Sequence, residues 1–521
     1  MPKMARMNMM NSKYIYNLGM YFEAITEECS NECAIIWDTD EKITFLELNT
    51  ISNKIANLFL LKGIKKNYVV AIQNNKTKYG FGCMLACLKI GATYTNFDYT
   101  NPLERIRKIF DTACPVIVVA DESNDMIYGL CEEKNIEYFV IPDADKEIEK
   151  QESKVSTEII TSVTKSDPAY IMFTSGSTGI PKGVLISQGS LIDFISWGMK
   201  TYNLRSNDIL TNVNPIYFDN SVFDFYCSVF NGISMLAVPK SMVEKPKDML
   251  ELIDRVGCTL WFSVPSMLIY LTNLKLLSEN VLQSVRIFAF GGEGYPKELL
   301  RKLYRIYGTK SEFYNVYGPT EGTCICSAYH ISDEDIEAEG LAPLGKIAPN
   351  FKYVILDEND NESQIGELCI MGTQLALGYY NDEERTNKSF VRNPLQKNYY
   401  ERMYRTGDLV ELVSDNLYFR GRVDNQIKHM GYRIELEEIE SSLIKLEGVK
   451  QCAVIHTLSK NQFSKLVAYV ATNEGLTEEN IKRHLKDYLP QYMIPNQVII
   501  VDELPKNANG KVDRQILKMS I

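Results

Sequence analysis

Short runs of β-branched and aromatic residues alternate with helical patterns along most of the chain, and this alternation constrains the fold more than any other feature. The runs are Val69–Ile72, Val116–Val119, Tyr138–Ile141, Tyr170–Phe173 and Ile287–Phe290. Strands that alternate with helices predict βαβ units and largely parallel sheets, so the fold class is α/β. Because a single hydrophobic core stops growing near ~250 to 300 residues, a chain of 521 residues predicts two or more domains.

The pattern changes after the segment 421–425. A helix with apolar residues at Leu436, Ile439, Leu443 and Leu446 precedes two runs that resemble strands, at 452–455 and 466–470. A second helix follows, with apolar residues at 481, 485 and 489, and Thr477 is placed to cap its N-terminus. These features predict a small α+β domain at 424–521, which follows a large domain at 1–423.

Composition excludes several classes of function. The formal charge of −11 provides no basic surface for a nucleic acid, and no apolar run approaches the ~20 residues that insertion into a membrane needs. The N-terminus has no apolar segment of the kind a secretory signal requires, which indicates a cytoplasmic protein. The 12 cysteines show no CxxC spacing, and the four histidines show no i, i+4 pair, so a zinc site is not expected.

A loop rich in glycine and hydroxyl residues, Thr174–Gly183, follows one of the predicted strands. Its glycines let the backbone approach a ligand closely, its hydroxyls donate hydrogen bonds, and Lys182 adds a cation. Together these groups suit a triphosphate. The loop is not a Walker motif, because Pro181 stands where that motif has glycine and Gly183 where it has Ser or Thr.

Seven segments in order resemble the adenylate-forming superfamily, which comprises acyl-CoA synthetases, luciferases and the adenylation domains of nonribosomal peptide synthetases. The segments are Thr174–Gly183, Phe218–Asp224, Asn315–Glu321, Gly366–Gly372, Tyr404–Leu409, Gly421–Glu437 and Leu504–Arg514. The resemblance covers nearly the whole chain. It implies a large N-terminal domain of mixed and parallel sheets with flanking helices, and a small mobile C-terminal domain.

The resemblance implies that the chain binds ATP and Mg²⁺. Attack of a carboxylate on the α-phosphate brings two anions together, so such a site must supply positive charge and a fixed geometry. Asp408 is expected to accept hydrogen bonds from both ribose hydroxyls, and Glu321 to help place the metal ion. The implied ATP-binding residues are Thr174, Ser175, Gly176, Ser177, Thr178, Gly179, Lys182, Gly292, Glu293, Asn315, Tyr317, Gly318, Thr320, Asp408, Phe419, Arg422 and Lys511.

Three residues carry the implied catalytic roles: Lys511, Glu321 and Lys182. Lys511 resembles the lysine that bridges the substrate carboxylate and the α-phosphate during adenylation. Asp424 matches the hinge about which the small domain of this superfamily rotates between adenylation and thioester formation, since a hinge needs only a few residues that change φ and ψ.

Asp219 directs the expected substrate to amino acids. Within the superfamily, adenylation domains place an aspartate against the substrate ammonium, and a buried ammonium without a carboxylate is costly. Matching the motifs gives a pocket of Asp219, Asn220, Phe223, Ser263, Ala289, Gly291, Val316, Cys324 and Ile325. Asp219 is the one charged residue of this set and is assigned to the substrate ammonium, so the set offers no counter-charge to a charged substrate side chain. A small or medium uncharged amino acid is therefore expected.

The expected acceptor is the phosphopantetheine thiol of a carrier protein in trans, because the sequence ends ten residues after Lys511. The chain is also similar to D-alanine:carrier protein ligases, although those typically have Cys where this chain has Gly291 and Leu where it has Asn220. D-alanine is therefore a candidate substrate. Two further candidate functions are an acyl- or aryl-CoA synthetase and a non-catalytic nucleotide-binding homologue.

Overall fold

A computed structural model describes residues 14–458, 464–472, 475–506 and 512–520. Elements are numbered in chain order. The helices are α1 (Leu18–Cys29), α2 (Phe45–Leu61), α3 (Lys78–Ile90), α4 (Leu103–Ala113), α5 (Asp125–Lys134), α6 (Asp145–Glu149), α7 (Thr157–Ser162), α8 (Gln188–Thr201), α9 (Asn220–Val229), α10 (Lys240–Val243), α11 (Pro246–Val256), α12 (Pro265–Asn273), α13 (Lys297–Tyr307), α14 (Asp333–Glu337), α15 (Glu383–Ser389), α16 (Leu436–Leu443), α17 (Glu478–Lys486) and α18 (Arg514–Met519).

The strands are β1 (Cys33–Ile36), β2 (Lys42–Thr44), β3 (Val69–Gln73), β4 (Thr93–Asn96), β5 (Ile117–Ala120), β6 (Glu137–Val140), β7 (Pro168–Thr174), β8 (Lys182–Ser187), β9 (Ile209–Asn212), β10 (Ser234–Ala237), β11 (Leu260–Ser263), β12 (Ile287–Gly291), β13 (Glu312–Tyr317), β14 (Ser327–His330), β15 (Phe351–Leu356), β16 (Ile365–Gly372), β17 (Gly378–Tyr379), β18 (Phe390–Arg392), β19 (Arg402–Val413), β20 (Asn416–Arg422), β21 (Gln426–His429), β22 (Tyr432–Glu435), β23 (Val449–Leu458), β24 (Ser464–Thr472) and β25 (Gln497–Val501).

The chain divides into two units. Unit 1 contains the described residues up to Phe97 together with Ala113–Met172 and Val184–Gly421. Unit 2 contains Asp98–Thr112, Phe173–Gly183 and the described residues from Arg422 onward. Among the described residues, no helix combines the length and the apolar character that crossing a membrane requires.

The largest sheet of unit 1 has eight strands in the order β14-β13-β12-β11-β9-β10-β1-β2. All neighbours from β13 to β1 run parallel, and only the edge strands β14 and β2 run antiparallel to their partners. Strands β11 and β12 are buried along their full length, as expected when helices cover both faces of a parallel sheet. The prediction of largely parallel sheets is confirmed here.

A second sheet has seven strands in the order β17-β8-β7-β4-β3-β5-β6. Its strands β7, β4, β3, β5 and β6 pair in parallel, and four of them overlap four of the five runs that the sequence pattern marked as strands. A third sheet, β15-β16-β19-β18 with β20 on β19, was not predicted, and its strands β15, β16, β19 and β18 pair antiparallel. Strands β15 and β16 follow one another through a short connection, so no intervening helix marks them in the sequence.

Unit 2 contains the α+β arrangement that the sequence predicted. The sheet β23-β24-β25 packs its apolar face against α16 and α17. Thr477 caps α17 as expected: its hydroxyl accepts a hydrogen bond from Asn480 N over 3.2 Å. Helix α16 ends at Leu443, before Leu446, yet Leu446 still packs against the same core.

Candidate active site

The carboxyl ends of three neighbouring strands place several of the predicted site residues at one edge of the eight-stranded sheet. Ser263 ends β11, Gly291 ends β12 and Tyr317 ends β13. These strands are parallel and adjacent, with Ser263 opposite Phe290 and Gly291 opposite Val316. The carboxyl edge of a parallel sheet is where ligands bind in open α/β folds.

Asp219 immediately precedes α9 but does not cap it. Its backbone occupies the helical region, and its side chain makes no capping hydrogen bond. Its Oδ2 instead accepts a hydrogen bond from Thr320 Oγ1 over 2.5 Å. An aspartate directly before a helix often serves only as the N-cap. Here the Asp219 carboxylate instead contacts the Thr320 hydroxyl.

The packing around Gly291 leaves no room for a side chain. A Cβ added there would lie 2.2 Å from the carbonyl oxygen of Val316 on the neighbouring strand. Gly318 is equally restricted, since its added Cβ would lie 2.3 Å from the carbonyl oxygen of Cys324. Both glycines therefore let the strand ends and the following turn approach one another closely.

The other predicted pocket residues are mostly in the core. Ser263 Oγ accepts a hydrogen bond from Trp261 Nε1 over 2.8 Å and donates one to the carbonyl of Val264 over 3.1 Å. The Phe223 ring packs between those of Tyr202 and Phe262. Ala289, Val316, Cys324 and Ile325 are buried, whereas Asn220 is half-buried.

Tyr317 and Asp408 are in direct contact in unit 1. Tyr317 Oη donates a hydrogen bond to Asp408 Oδ2 over 2.6 Å. Burial, together with the adjacent negative charge of Asp408, raises the pKa of Tyr317 well above its usual value. The phenol therefore stays protonated and acts as a donor to the carboxylate.

Of three further predicted nucleotide-binding residues of unit 1, two form hydrogen bonds within the protein and one is exposed. Glu293 Oε1 accepts a hydrogen bond from Ser266 N in the first turn of α12 over 2.7 Å. Asn315 Nδ2 donates to the carbonyl of Pro343 over 2.8 Å. Phe419 is exposed.

Glu321 is a fully buried carboxylate of unit 1. Its Oε1 accepts a hydrogen bond from Tyr379 Oη over 2.7 Å. Tyr379 lies in β17, 58 residues further along the chain, and sequence reasoning missed it as a partner of Glu321.

The glycine-rich loop 174–183 belongs to unit 2, where strand β22 and helix α16 contact it. Ser175 Oγ donates to the carbonyl of Arg433 over 2.7 Å and accepts from Glu435 N over 3.2 Å. Gly176 N donates to Glu438 Oε2 over 3.2 Å. Lys182 Nζ lies 3.7 Å from Glu435 Oε1, with both side chains buried.

Each of the two carboxylates that contact the loop lies close to a cationic side chain. Burial raises the pKa of Glu435, and Lys182 partly offsets this effect. Glu438 forms an ion pair with Arg105 of α4, and both side chains are almost completely buried. Sequence reasoning missed Arg105, Glu435 and Glu438, because nothing in their local sequence signals a partner that lies hundreds of residues away.

Asp424 is paired with Arg422. Its two carboxylate oxygens accept hydrogen bonds from Arg422 Nε over 2.6 Å and Nη2 over 2.7 Å. Burial raises the pKa of Asp424, but these hydrogen bonds outweigh it and hold the pKa below the usual value. Lys511 lies outside the described residues.

Comparison with known proteins identifies the family. The model of the AMP-binding enzyme family matches residues 22–380, and that of its C-terminal domain matches residues 438–511. The chain belongs to the AMP-binding enzyme family. This AMP-binding enzyme is 31% identical over 507 residues to zwittermicin A synthase ZmaJ of Bacillus cereus, which covers 96% of this chain and 94% of the relative.

A second relative has a similar length. The D-alanine--D-alanyl carrier protein ligase of Listeria welshimeri serovar 6b is 32% identical over 499 residues, covering 92% of this AMP-binding enzyme and 94% of the relative. Other relatives are much longer, and the chain spans only 8% to 11% of their length. The Vibrio cholerae adenylation domain AlmE in complex with glycyl-adenosine-5'-phosphate shares the fold, with a TM-score of 0.83, 22% identity and coverage of 98% of each chain.

Proposed function

We propose that the chain uses ATP to adenylate a small or medium uncharged amino acid, and then transfers the aminoacyl group to the phosphopantetheine thiol of a carrier protein in trans. The observation that carries this proposal is the position of Asp219. Its carboxylate precedes α9 without capping it and is oriented by the Thr320 hydroxyl. An anion held in this way suits a substrate ammonium group, which a fatty or aryl acid lacks.

The nucleotide is proposed to use the residues that the family resemblance implies. The Tyr317 hydroxyl fixes one oxygen of Asp408 and so orients the carboxylate to accept hydrogen bonds from the ribose hydroxyls. Lys182 and the backbone N–H groups of the loop 174–183 would bind the β- and γ-phosphates. The ATP-bound state of MatB from Rhodopseudomonas palustris, a chain of the same fold, supports the choice of nucleotide.

Glu321 fits a magnesium ion that is bound together with the triphosphate. No group of three or more His, Cys, Asp or Glu side chains that could hold a metal exists among the described residues. Mg²⁺ commonly binds through one or two carboxylates together with substrate phosphates, so one carboxylate is a sufficient protein contribution. The ion would neutralise charge on the phosphates while Glu321 fixes its position.

The substrate class follows from the neutrality of the proposed pocket. Apart from Asp219, its members are Asn220, Phe223, Ser263, Ala289, Gly291, Val316, Cys324 and Ile325, none of which is charged. The name of the Listeria relative and the glycyl adenylate of AlmE support a small amino acid. D-alanine is a second candidate, although Asn220 and Gly291 differ from the residues typical of those ligases.

Exchange of radiolabelled pyrophosphate into ATP tests the first step. Glycine, both enantiomers of alanine and a panel of larger amino, fatty and aryl acids would be supplied one at a time. Exchange with one or a few uncharged amino acids is expected. Exchange with fatty or aryl acids alone would contradict the proposal that the substrate is an amino acid. No exchange with any acid would favour a non-catalytic nucleotide-binding protein.

The second half-reaction is proposed to use the domains 1–423 and 424–521, with Asp424 as the hinge and Lys511 acting only in adenylation. Lys511→Ala is then expected to abolish pyrophosphate exchange, while thioester formation from supplied aminoacyl adenylate and a carrier protein is largely retained. Equal loss of both steps would contradict this division of roles. A cytoplasmic location remains a prediction.

A further inference from the structure

The loop proposed to hold the phosphates of ATP is bound by two carboxylates in this structure. Glu438 Oε2 accepts the N–H of Gly176 over 3.2 Å, and Glu435 Oε1 lies 3.7 Å from the ammonium of Lys182. The Ser175 hydroxyl is also engaged, because it donates to Arg433 O and accepts from Glu435 N. A backbone N–H, a hydroxyl and a cation are the same groups that a triphosphate would need.

The carboxylates are held firmly in place. Glu438 is 2% exposed, and its other oxygen pairs with Arg105, which is 7% exposed. Glu435 is 9% exposed, and its backbone N–H is bonded to the loop itself. On the far side of the loop, Lys108 Nζ donates to the carbonyl of Gly179 over 2.6 Å. The loop therefore has protein partners at Lys108 and between residues 433 and 438.

We propose that Glu435 and Glu438 compete with the phosphates of ATP for the loop, so that the nucleotide and the segment 432–441 bind it in mutually exclusive ways. The phosphates and the two carboxylates would use the same groups of the loop, the Gly176 N–H and the Lys182 ammonium. The Gly176 N–H has a single hydrogen, and two anions cannot occupy the same place beside Lys182 without strong repulsion. This inference rests on the proposed function, since it assumes that the loop binds phosphates.

Such a competition lowers the apparent affinity for ATP. When only a fraction of the molecules has a free loop, the apparent Kd is the intrinsic Kd divided by that fraction. The carboxylates also give the loop an anionic partner once pyrophosphate has left, which disfavours its rebinding. Weakening the contacts of Glu438 should therefore tighten the binding of ATP rather than weaken it.

Glu438→Gln tests this directly by titration calorimetry with Mg·ATP. The amide keeps the shape of the side chain but removes the charge that pairs with buried Arg105, which destabilises the carboxylate-bound arrangement. The Kd for ATP is expected to fall by about five- to ten-fold, as it would if the loop were free in roughly a tenth to a fifth of wild-type molecules. Glu447→Gln, an exposed change of equal charge near the end of α16, is the matched control and should leave the Kd unchanged.

Each result of the titration separates the two proposals. If wild-type protein does not bind ATP, the proposed function fails. If the wild type binds ATP and Glu438→Gln binds it equally or more weakly, the competition is overturned while the proposed function stands.

Glu435→Gln provides a second test that leaves the ion pair between Glu438 and Arg105 in place. It removes the negative charge that lies 3.7 Å from Lys182 Nζ. Glu447→Gln again serves as the control of equal charge change, because Glu447 is exposed.

The competition predicts that Glu435→Gln also lowers the Kd for Mg·ATP, by about two- to ten-fold. An unchanged or higher Kd in Glu435→Gln, measured by the same titration, would overturn the inference.

Discussion

Tyr317 at the end of β13 donates a hydrogen bond across 2.6 Å to Asp408 in β19, so two strands from different sheets of unit 1 meet at this contact. The two residues are 91 positions apart in the sequence. A phenol that donates to a carboxylate fixes the orientation of that carboxylate and of its lone pairs. In the proposed function the oriented carboxylate receives the ribose hydroxyls.

Tyr317→Phe is therefore expected to raise the KM for ATP about five-fold, while the fold is retained. The ring stays in place, and the loss is one hydrogen bond that orients Asp408, worth about 1 kcal/mol. Pyrophosphate exchange at varied ATP concentration measures this effect. Tyr314→Phe is the matched control on the same strand, because Tyr314 Oη donates to the exposed Glu312, and an equal rise in KM in both variants would contradict the role given to Asp408.

Asp219→Asn is expected to raise the KM for the amino acid at least about 30-fold, with little change in the KM for ATP. Removing one partner of a buried charge pair costs about 2 kcal/mol or more, which corresponds to that factor. Since Asp219 does not cap α9, the thermal unfolding temperature should change little. Amino-acid titrations in the exchange assay measure the KM.

Asp193→Asn provides the control for Asp219→Asn. Asp193 also accepts a hydrogen bond from a threonine hydroxyl, that of Thr373, but this contact is exposed. The control should keep wild-type kinetics. An unchanged KM for the amino acid in Asp219→Asn would contradict the role of Asp219 on which the amino-acid proposal depends.

The elements that local sequence determines were predictable. The run at 287–290 forms part of β12, and Thr477 caps α17, because burial pattern and capping chemistry act within a few residues. The antiparallel sheet of β15, β16 and β19 was not predicted, because β15 and β16 follow one another without the intervening helix by which the pattern marked the strands of the parallel sheets.

The sequence marks the glycine-rich loop by its composition but does not indicate the contacts that the loop makes. The loop 174–183 stands out by composition alone. Its contact from Gly176 to Glu438 spans 262 residues. Arg105, the ion-pair partner of Glu438, lies in a helix that no motif marks. Such contacts depend on how the chain folds back on itself, which the spacing of residues along the sequence does not encode.

Gly291→Ala tests the close packing at the end of β12. The added Cβ would lie 2.2 Å from the Val316 carbonyl oxygen, so the two paired strands would have to move apart. We expect a loss of about 1 to 3 kcal/mol in the free energy of unfolding. Urea unfolding followed by tryptophan fluorescence measures it, since Trp37, Trp197 and Trp261 all lie in unit 1.

Gly129→Ala is the control for this substitution. Gly129 lies inside α5, and an added Cβ would meet nothing within 4 Å. The change should be neutral or stabilise the protein by about 0.5 to 1 kcal/mol, because alanine favours the helix. A Gly291→Ala protein as stable as Gly129→Ala would mean that β12 and β13 separate at little cost.

Asp208 and Arg286 form a bidentate ion pair in unit 1. Arg286 Nε donates to Oδ1 over 2.9 Å and Nη2 donates to Oδ2 over 2.6 Å, and Thr259 Oγ1 adds a further donor over 2.9 Å. Burial raises the pKa of Asp208, but the hydrogen bonds from Arg286, Arg205 N and Thr259 outweigh it, so the pKa lies below the usual value of 3.8.

This pair should give unit 1 a specific acid sensitivity. A carboxyl whose pKa is lowered by folding stabilises the native state above its unfolded pKa, near 4, and that contribution is lost as the pH falls through the lower folded-state pKa. Asp208→Asn should therefore cost about 2 to 4 kcal/mol at pH 7, where Arg286 is left without its counter-charge. The difference from wild type should shrink as the pH falls below about 4.

Urea unfolding from pH 7 to pH 2.5, followed by tryptophan fluorescence, measures this difference. Asp360→Asn is the matched control, because Asp360 pairs with Arg405 over 2.9 Å but is 47% exposed. Such a surface pair contributes at most about 1 kcal/mol, and an asparagine suits the left-handed backbone at that position. If the loss of unfolding free energy in Asp208→Asn stays the same at the lowest pH, the aspartate acts through packing rather than through its charge.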